Sequence, residues 1–115
     1  MNCLKLKISR QRILAVSKWL DTLIEVFTCE SAHEYLLFQM IVEMSWRFEK
    51  LIAQWDKTAK MESVISIKFG NSEIVAFCQV WKLYEGYAGA YEKVVMQEIV
   101  NEASKISLNA NLLNG

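Results

Sequence analysis

Proline is absent from this chain, and glycine is limited to Gly70, Gly86, Gly89 and Gly115. With so little of either, no segment has the composition of a flexible linker or a polyproline spacer. Breaks between elements must come from capping side chains and changes of period. Charge of either sign is not in excess, because 13 Lys and Arg balance 13 Asp and Glu. Net charge therefore supplies no attraction toward nucleic acid or an anionic membrane. Histidine occurs once, at His33, and cysteine only at Cys3, Cys29 and Cys78. Cysteines 26 and 49 residues apart match no zinc spacing, and an odd number makes a poor disulfide framework. The expectation is of reduced thiols in a cytoplasmic protein, with no metal and no cofactor. Long apolar runs are missing as well. Tyr35 to Val42, an uncharged and mainly apolar run as long as any in the chain, contains Gln39 and is far too short to span a bilayer. No apolar stretch leading to a small-residue cleavage site follows the first lysines, so neither a leader nor a membrane partner is expected.

Apolar surface, by contrast, is plentiful. Hydrophobic residues make up 53% of the 115, including four Trp, four Tyr and five Phe, which is more than a disordered chain carries. A single domain over residues 1–115 follows from the length. Its high surface-to-volume ratio suggests that part of the apolar surplus lies at an interface. The charges are also unevenly placed. Residues 1–20 hold Lys5, Lys7, Arg10, Arg12 and Lys18 and no acid, which makes a basic N-terminal edge on a mildly acidic body.

Along the chain, Leu4, Leu6 and Ile8 alternate with Lys5 and Lys7, the period of a half-buried strand. Ser9 stands where a helix cap belongs. From Arg10 to about Phe27 an apolar face (Ile13, Val16, Leu20, Leu23, Ile24, Phe27) opposes a narrow polar stripe of Gln11, Lys18, Thr22 and Glu25. Ser31 and Glu34 have capping-box spacing and open a second helix, expected to reach about Lys60 and to measure roughly 42 Å. Its polar stripe is Gln39, Glu43, Arg47, Lys50, Gln54 and Lys57, and large residues such as Leu36, Leu37, Ile41 and Phe48 fill the rest. Val64 to Phe69 reads as a second strand, with Ile65, Ile67 and Phe69 on one face. A third helix is expected over Ser72–Glu85. Gly86 and Gly89 should break it from a fourth over Ala90–Ile106, with Tyr91, Val94, Val95, Ile99, Ala103 and Ile106 inward. The Asn-rich tail from Ser107 is expected to fray, leaving residues 108–115 flexible.

The first strand and helix recur 61 residues later in residue class. Leu4, Leu6 and Ile8 match Ile65, Ile67 and Phe69; Ser9 matches Gly70; Ile13 to Val16 match Ile74 to Phe77; Leu20 and Leu23 match Trp81 and Tyr84. The fold expected is mainly α, of the α+β class: a duplicated β-α-α-β-α-α unit, with halves of about 1–61 and 62–107. Its four helices would pack on one face of a short two-stranded antiparallel ribbon.

Motifs for chemistry are weak. His33-Glu34 begins as a zinc-protease helix would, but Leu37 stands where the second imidazole must be, so His33 reads as a surface residue of a first helical turn. Cys29, four residues from His33, lacks a glycine-framed nucleophile motif and an orienting third group. Gly86-x-x-Gly89 has the spacing of a loop that clamps nucleic-acid backbone, but its middle residues are Tyr87 and Ala88 rather than basic ones. No catalytic residue is assigned. Two clusters remain as candidate sites. Trp81, Tyr84, Tyr87 and Tyr91 gather around the glycine pair and suit a protein contact, where buried aromatics carry much of the binding energy. Lys5, Lys7, Arg10, Arg12 and Lys18 suit phosphate contacts that fix no sequence. The function expected is a non-enzymatic interaction or structural module that binds itself or another protein. A nucleic-acid-associated regulator using the basic edge, and a binder of a small apolar ligand between helices, are the alternatives.

Overall fold

A computed structural model describes the backbone over residues 3–109 and the side chains over residues 5–103 and at Lys105. In chain order the elements are β1 (Cys3–Ser9), α1 (Arg10–Val26), α2 (Ala32–Ala53), β2 (Val64–Gly70), α3 (Asn71–Tyr84), a 3-10 turn (Glu85–Tyr87) and α4 (Ala90–Asn109). The strands pair antiparallel as an isolated two-stranded ribbon, so among the described residues the protein is a helical α+β fold.

Alternation sets the two faces of the ribbon. Leu6 lies opposite Ile67 and Ile8 opposite Ile65, while Lys5 is opposite Lys68 and Lys7 opposite Ser66. Ile8, Ile67 and Phe69 are buried, and Lys5, Lys7, Ser66 and Lys68 are exposed, so one face meets the helices and the other meets water. Strands and following helices keep the same spacing: β1 and β2 begin 61 residues apart, and so do α1 and α3. The matched positions Ile13 and Ile74, Ala15 and Ala76, Val16 and Phe77, and Leu20 and Trp81 are all buried.

Caps fall where the sequence places them. The Ser9 hydroxyl accepts from the Arg12 amide at 3.3 Å, and the Ser31 hydroxyl accepts from the Glu34 amide at 3.2 Å. The Glu34 carboxylate reaches back one residue further than a standard box, to the Glu30 amide at 3.3 Å. In front of α3, where Gly70 has no side chain to offer, the Glu73 carboxylate accepts from the Gly70 amide at 2.9 Å.

The second helix is shorter than its periodicity predicts. It ends at Ala53, about 33 Å from its start, rather than near Lys60. Residues 54–63 instead fold back over the N-terminus of α1, whose first amides need acceptors. The Arg10 amide donates to the Ser63 carbonyl at 3.0 Å and the Gln11 amide to the Met61 carbonyl at 3.1 Å. The Asp56 carboxylate holds the turn by accepting from the Thr58 amide at 3.3 Å.

Helices α3 and α4 also depart from the bounds their periodicity predicts. The third helix begins and ends one residue earlier than expected, and α4 continues through Ser107–Asn109 rather than fraying there; residues 110–115 lie outside the described part. Tyr91 and Val94, expected inward, are exposed. The buried row of α4 is Val95, Met96, Ile99 and Ala103, and the side chain of Ile106 is outside the described residues. Leu36 of α2 is exposed as well, at 64%. The glycine pair does interrupt the helix, although neither Gly86 nor Gly89 adopts a left-handed conformation. A methyl group on Gly86 would meet nothing within 4 Å. Gly86→Ala is accordingly expected to stabilise the protein by about 0.4–1 kcal/mol, read as a raised denaturant midpoint, because alanine restricts the unfolded chain.

An aromatic chain runs through the core. Phe48 of α2 meets Phe69 of β2 at 6.2 Å, Phe69 meets Phe77 of α3 at 6.0 Å, and Phe77 meets Trp19 of α1 at 6.0 Å. Trp19 then packs edge-on to Trp81 at 5.4 Å.

Candidate interaction site

A second aromatic run lies where α1, α2 and α3 end or begin. Phe38 packs on Phe27 at 5.5 Å, Phe27 stacks on Tyr84 at 4.9 Å, and Tyr84 lies 5.9 Å from Tyr87. The Tyr84 hydroxyl accepts from the Thr28 amide at 3.2 Å, tying the α1–α2 connection to the end of α3. The four aromatic residues singled out in the sequence therefore separate. Trp81 is core, only 5% exposed, because it faces Trp19, so it cannot serve as a contact residue. Tyr84 is half-buried and structural. Tyr87 and Tyr91 are 55% and 45% exposed, and Leu83 and Val94 beside them in sequence are 60% and 56% exposed. The segment Leu83–Val94 thus presents four large apolar side chains to water.

Sequence reasoning missed Trp46, which is 64% exposed on α2. Its signal was present. Gln39, Glu43, Trp46 and Lys50 follow steps of four, three and four, which puts a tryptophan in the polar stripe. Tyr35, one turn before Gln39, continues that stripe and is also exposed.

The basic set does not form one edge. Lys5 and Lys7 project from the outward face of the ribbon, where the cross-strand neighbour of Lys5 is Lys68, a residue outside the expected set. Arg10 lies over the Trp55 ring at 5.5 Å. Arg12 pairs with Glu98 of α4. Lys18 sits eight residues, roughly 12 Å, along α1 from Arg10. Of the five, only the two strand lysines share the ribbon face.

Cys29 is exposed and its nearest polar partner is the Glu34 carbonyl, with sulfur and oxygen 4.0 Å apart. His33 is exposed in the first turn of α2 and makes no hydrogen bond to Cys29 among the described residues. Burial pushes the Cys78 thiol above its ordinary pKa, against the opposing pull of Lys82. An acid whose pKa rises on folding stabilises fully below its unfolded value, and that stability is lost as pH climbs through the folded value. Iodoacetamide at pH 8 is thus expected to modify Cys29 well before Cys78, checked by peptide mass mapping. Among the described residues, no three His, Cys, Asp or Glu side chains are grouped so as to hold a metal ion, and no helix is long and apolar enough to cross a membrane.

Two grooves flank the ribbon. One, of about 660 Å³, lies between β1 and α4 and is lined by Leu6, Ile8, Val95 and Ile99 among others. The other, of about 290 Å³, lies between β2 and α2, where Arg47 sits. Arg47 donates to the Lys68 carbonyl, bonds the Glu73 carboxylate at 3.0 Å and lies over the Phe69 ring at 5.4 Å. A third, shallow groove of about 360 Å³ between α2 and α3 carries His33, Leu36, Met40 and Val75. No family model matches the chain, and no curated protein or solved structure is detectably similar to it.

Proposed function

We propose that this protein is a non-enzymatic interaction module that associates with a second copy of itself through the corner where α3 meets α4. The observation that carries the reading is the exposure of Leu83, Tyr87, Tyr91 and Val94 beside a core that is already filled. Tyrosine suits such a role, since it brings a large apolar area at a small entropy cost. Lys82, Glu85, Glu92 and Lys93, next to these residues in sequence, carry both signs of charge, so two copies related by a two-fold axis can set acid against base. The reading gives the protein no catalytic step, no cofactor and a place in the cytoplasm. It also takes the common 61-residue spacing of strands and helices as an internal duplication. Relatives aligned half on half should then match best at that offset, and an equal score at arbitrary offsets would remove the duplication.

Light scattering across a concentration series tests self-association. The expected mass is twice 13.3 kDa, falling to the monomer in the Y87S/Y91S variant with helix content unchanged. A parent protein that stays monomeric at every concentration would overturn the reading.

A further inference from the structure

We infer that the outer edge of β1 is a docking site for an extended peptide that alternates acidic and apolar residues, added to the ribbon as a third strand. The inference rests on residues other than those of the α3–α4 corner. In a two-stranded sheet each strand keeps one unpaired edge, with backbone donors and acceptors open to a further strand. The two edges here are not equivalent. At β2, Arg47 occupies the edge by donating to the Lys68 carbonyl and covering Phe69. At β1 the groove is more than twice as large, about 660 against 290 Å³. Leu6, Lys7 and Ile8 all line it, and consecutive residues of a strand point to opposite faces, so the groove lies at the strand's edge.

Charge chooses the occupant. The ribbon segments Cys3–Ser9 and Val64–Gly70 hold three lysines and no acid. Like charges directly opposite each other destabilise a strand pair, and Lys5 faces Lys68. Neither Lys5, Lys7 nor Lys68 pairs with a carboxylate among the described residues. The two acids that line the groove are each paired with a base that also lines it, Glu98 with Arg12 and Glu102 with Lys105, which leaves Lys7 as its unpaired charge among the described residues. A strand added to β1 sets its outward side chains beside Lys5 and Lys7, where acids are favoured. Its inward ones face Leu6, Ile8, Val95 and Ile99, where apolar groups are favoured. A second copy of β1 is the wrong occupant, because antiparallel pairing about Leu6 sets Lys5 against Lys7. A nucleic-acid backbone fits less well, since it uses neither the apolar floor nor the open backbone edge.

Nuclear magnetic resonance titration with two synthetic seven-residue peptides tests the site. One has glutamate and the other lysine at alternate positions between valines. The glutamate peptide is expected to shift amides of residues 5–8 and 95–102, and the lysine peptide to shift none. K5E/K7E, altered only at exposed positions, should bind the glutamate peptide at least tenfold more weakly and accept the lysine peptide instead. K18E, altered on α1 away from the groove, should behave as the parent does. Absence of shifts with the glutamate peptide at millimolar concentration would overturn the proposal, as would shifts that K5E/K7E leaves unchanged. Shifts at Lys5, Lys7 and Lys68 with oligothymidylate, and none with the peptide, would assign the face to nucleic acid.

Discussion

Trp19→Ala is expected to lower the unfolding free energy by about 3–5 kcal/mol, measured as a fall in the urea midpoint with an unchanged slope. Trp19 has no exposed surface and packs edge-on against both Trp81 and Phe77. It therefore joins α1 to α3 at the centre of the aromatic chain. Truncation removes the largest fully buried side chain of the core and leaves a cavity that α1, α2 and α3, each fixed at its N-terminus by a cap, cannot close. Against a total of about 5–15 kcal/mol for a domain of this size, the loss is a large fraction. Trp19→Phe should cost distinctly less. The Trp19 indole N–H has no partner among the described residues, so phenylalanine gives up volume but also removes an unsatisfied buried donor. Equal losses for the two variants would mean that a phenyl ring recovers none of the packing that Trp19 provides, which would overturn this account.

Arg47→Ala is expected to cost about 2 kcal/mol, the range of hydrogen bonds made by charged groups that are partly shielded from water. Three partners lose Arg47 together: the Glu73 carboxylate, the Lys68 carbonyl and the Phe69 ring. Glu73 is the more consequential, because the same carboxylate caps the Gly70 amide at the start of α3. Without its guanidinium the cap remains, but with an unpaired charge beside the ribbon. Arg12→Ala is the control. Arg12 and Glu98 have side chains 41% and 49% exposed, and such pairs contribute about 0–1 kcal/mol. Arg47 is 39% exposed, much as Arg12 is, but it has three partners and its carboxylate, Glu73, is only 29% exposed. Thermal melts of the two variants under one buffer should therefore separate clearly, and coincident melting curves would overturn that contrast. Raised salt should narrow the effect of Arg12→Ala more than that of Arg47→Ala.

Local pattern was enough for much of the fold. Alternation at Leu4–Ile8 and Val64–Phe69, together with serines at positions 9 and 31, defined both strands and the starts of α1 and α2 to within a residue or two. These features depend on neighbours in the chain, so composition and period suffice. The antiparallel sense of the ribbon also agreed with the expectation drawn from the two matching halves.

Tertiary structure decided the rest, and for a common reason: each outcome depends on a group distant in sequence. The helical period of α2 continues past Ala53, yet the chain leaves it because the first amides of α1 require the carbonyls of Met61 and Ser63. Trp81 and Tyr87 look alike as members of an aromatic cluster. Trp19, some sixty residues earlier, takes Trp81 into the core and leaves Tyr87 in water. The basic edge divides in the same manner, as Trp55 and Glu98 engage Arg10 and Arg12 while strand pairing brings Lys68 beside Lys5. Sequence alone determined where the strands lie and where the helices begin, since those choices are made within a few residues. Which aromatic and charged side chains remain available to a partner was decided only by packing, since burial is set by whatever the folded chain brings alongside.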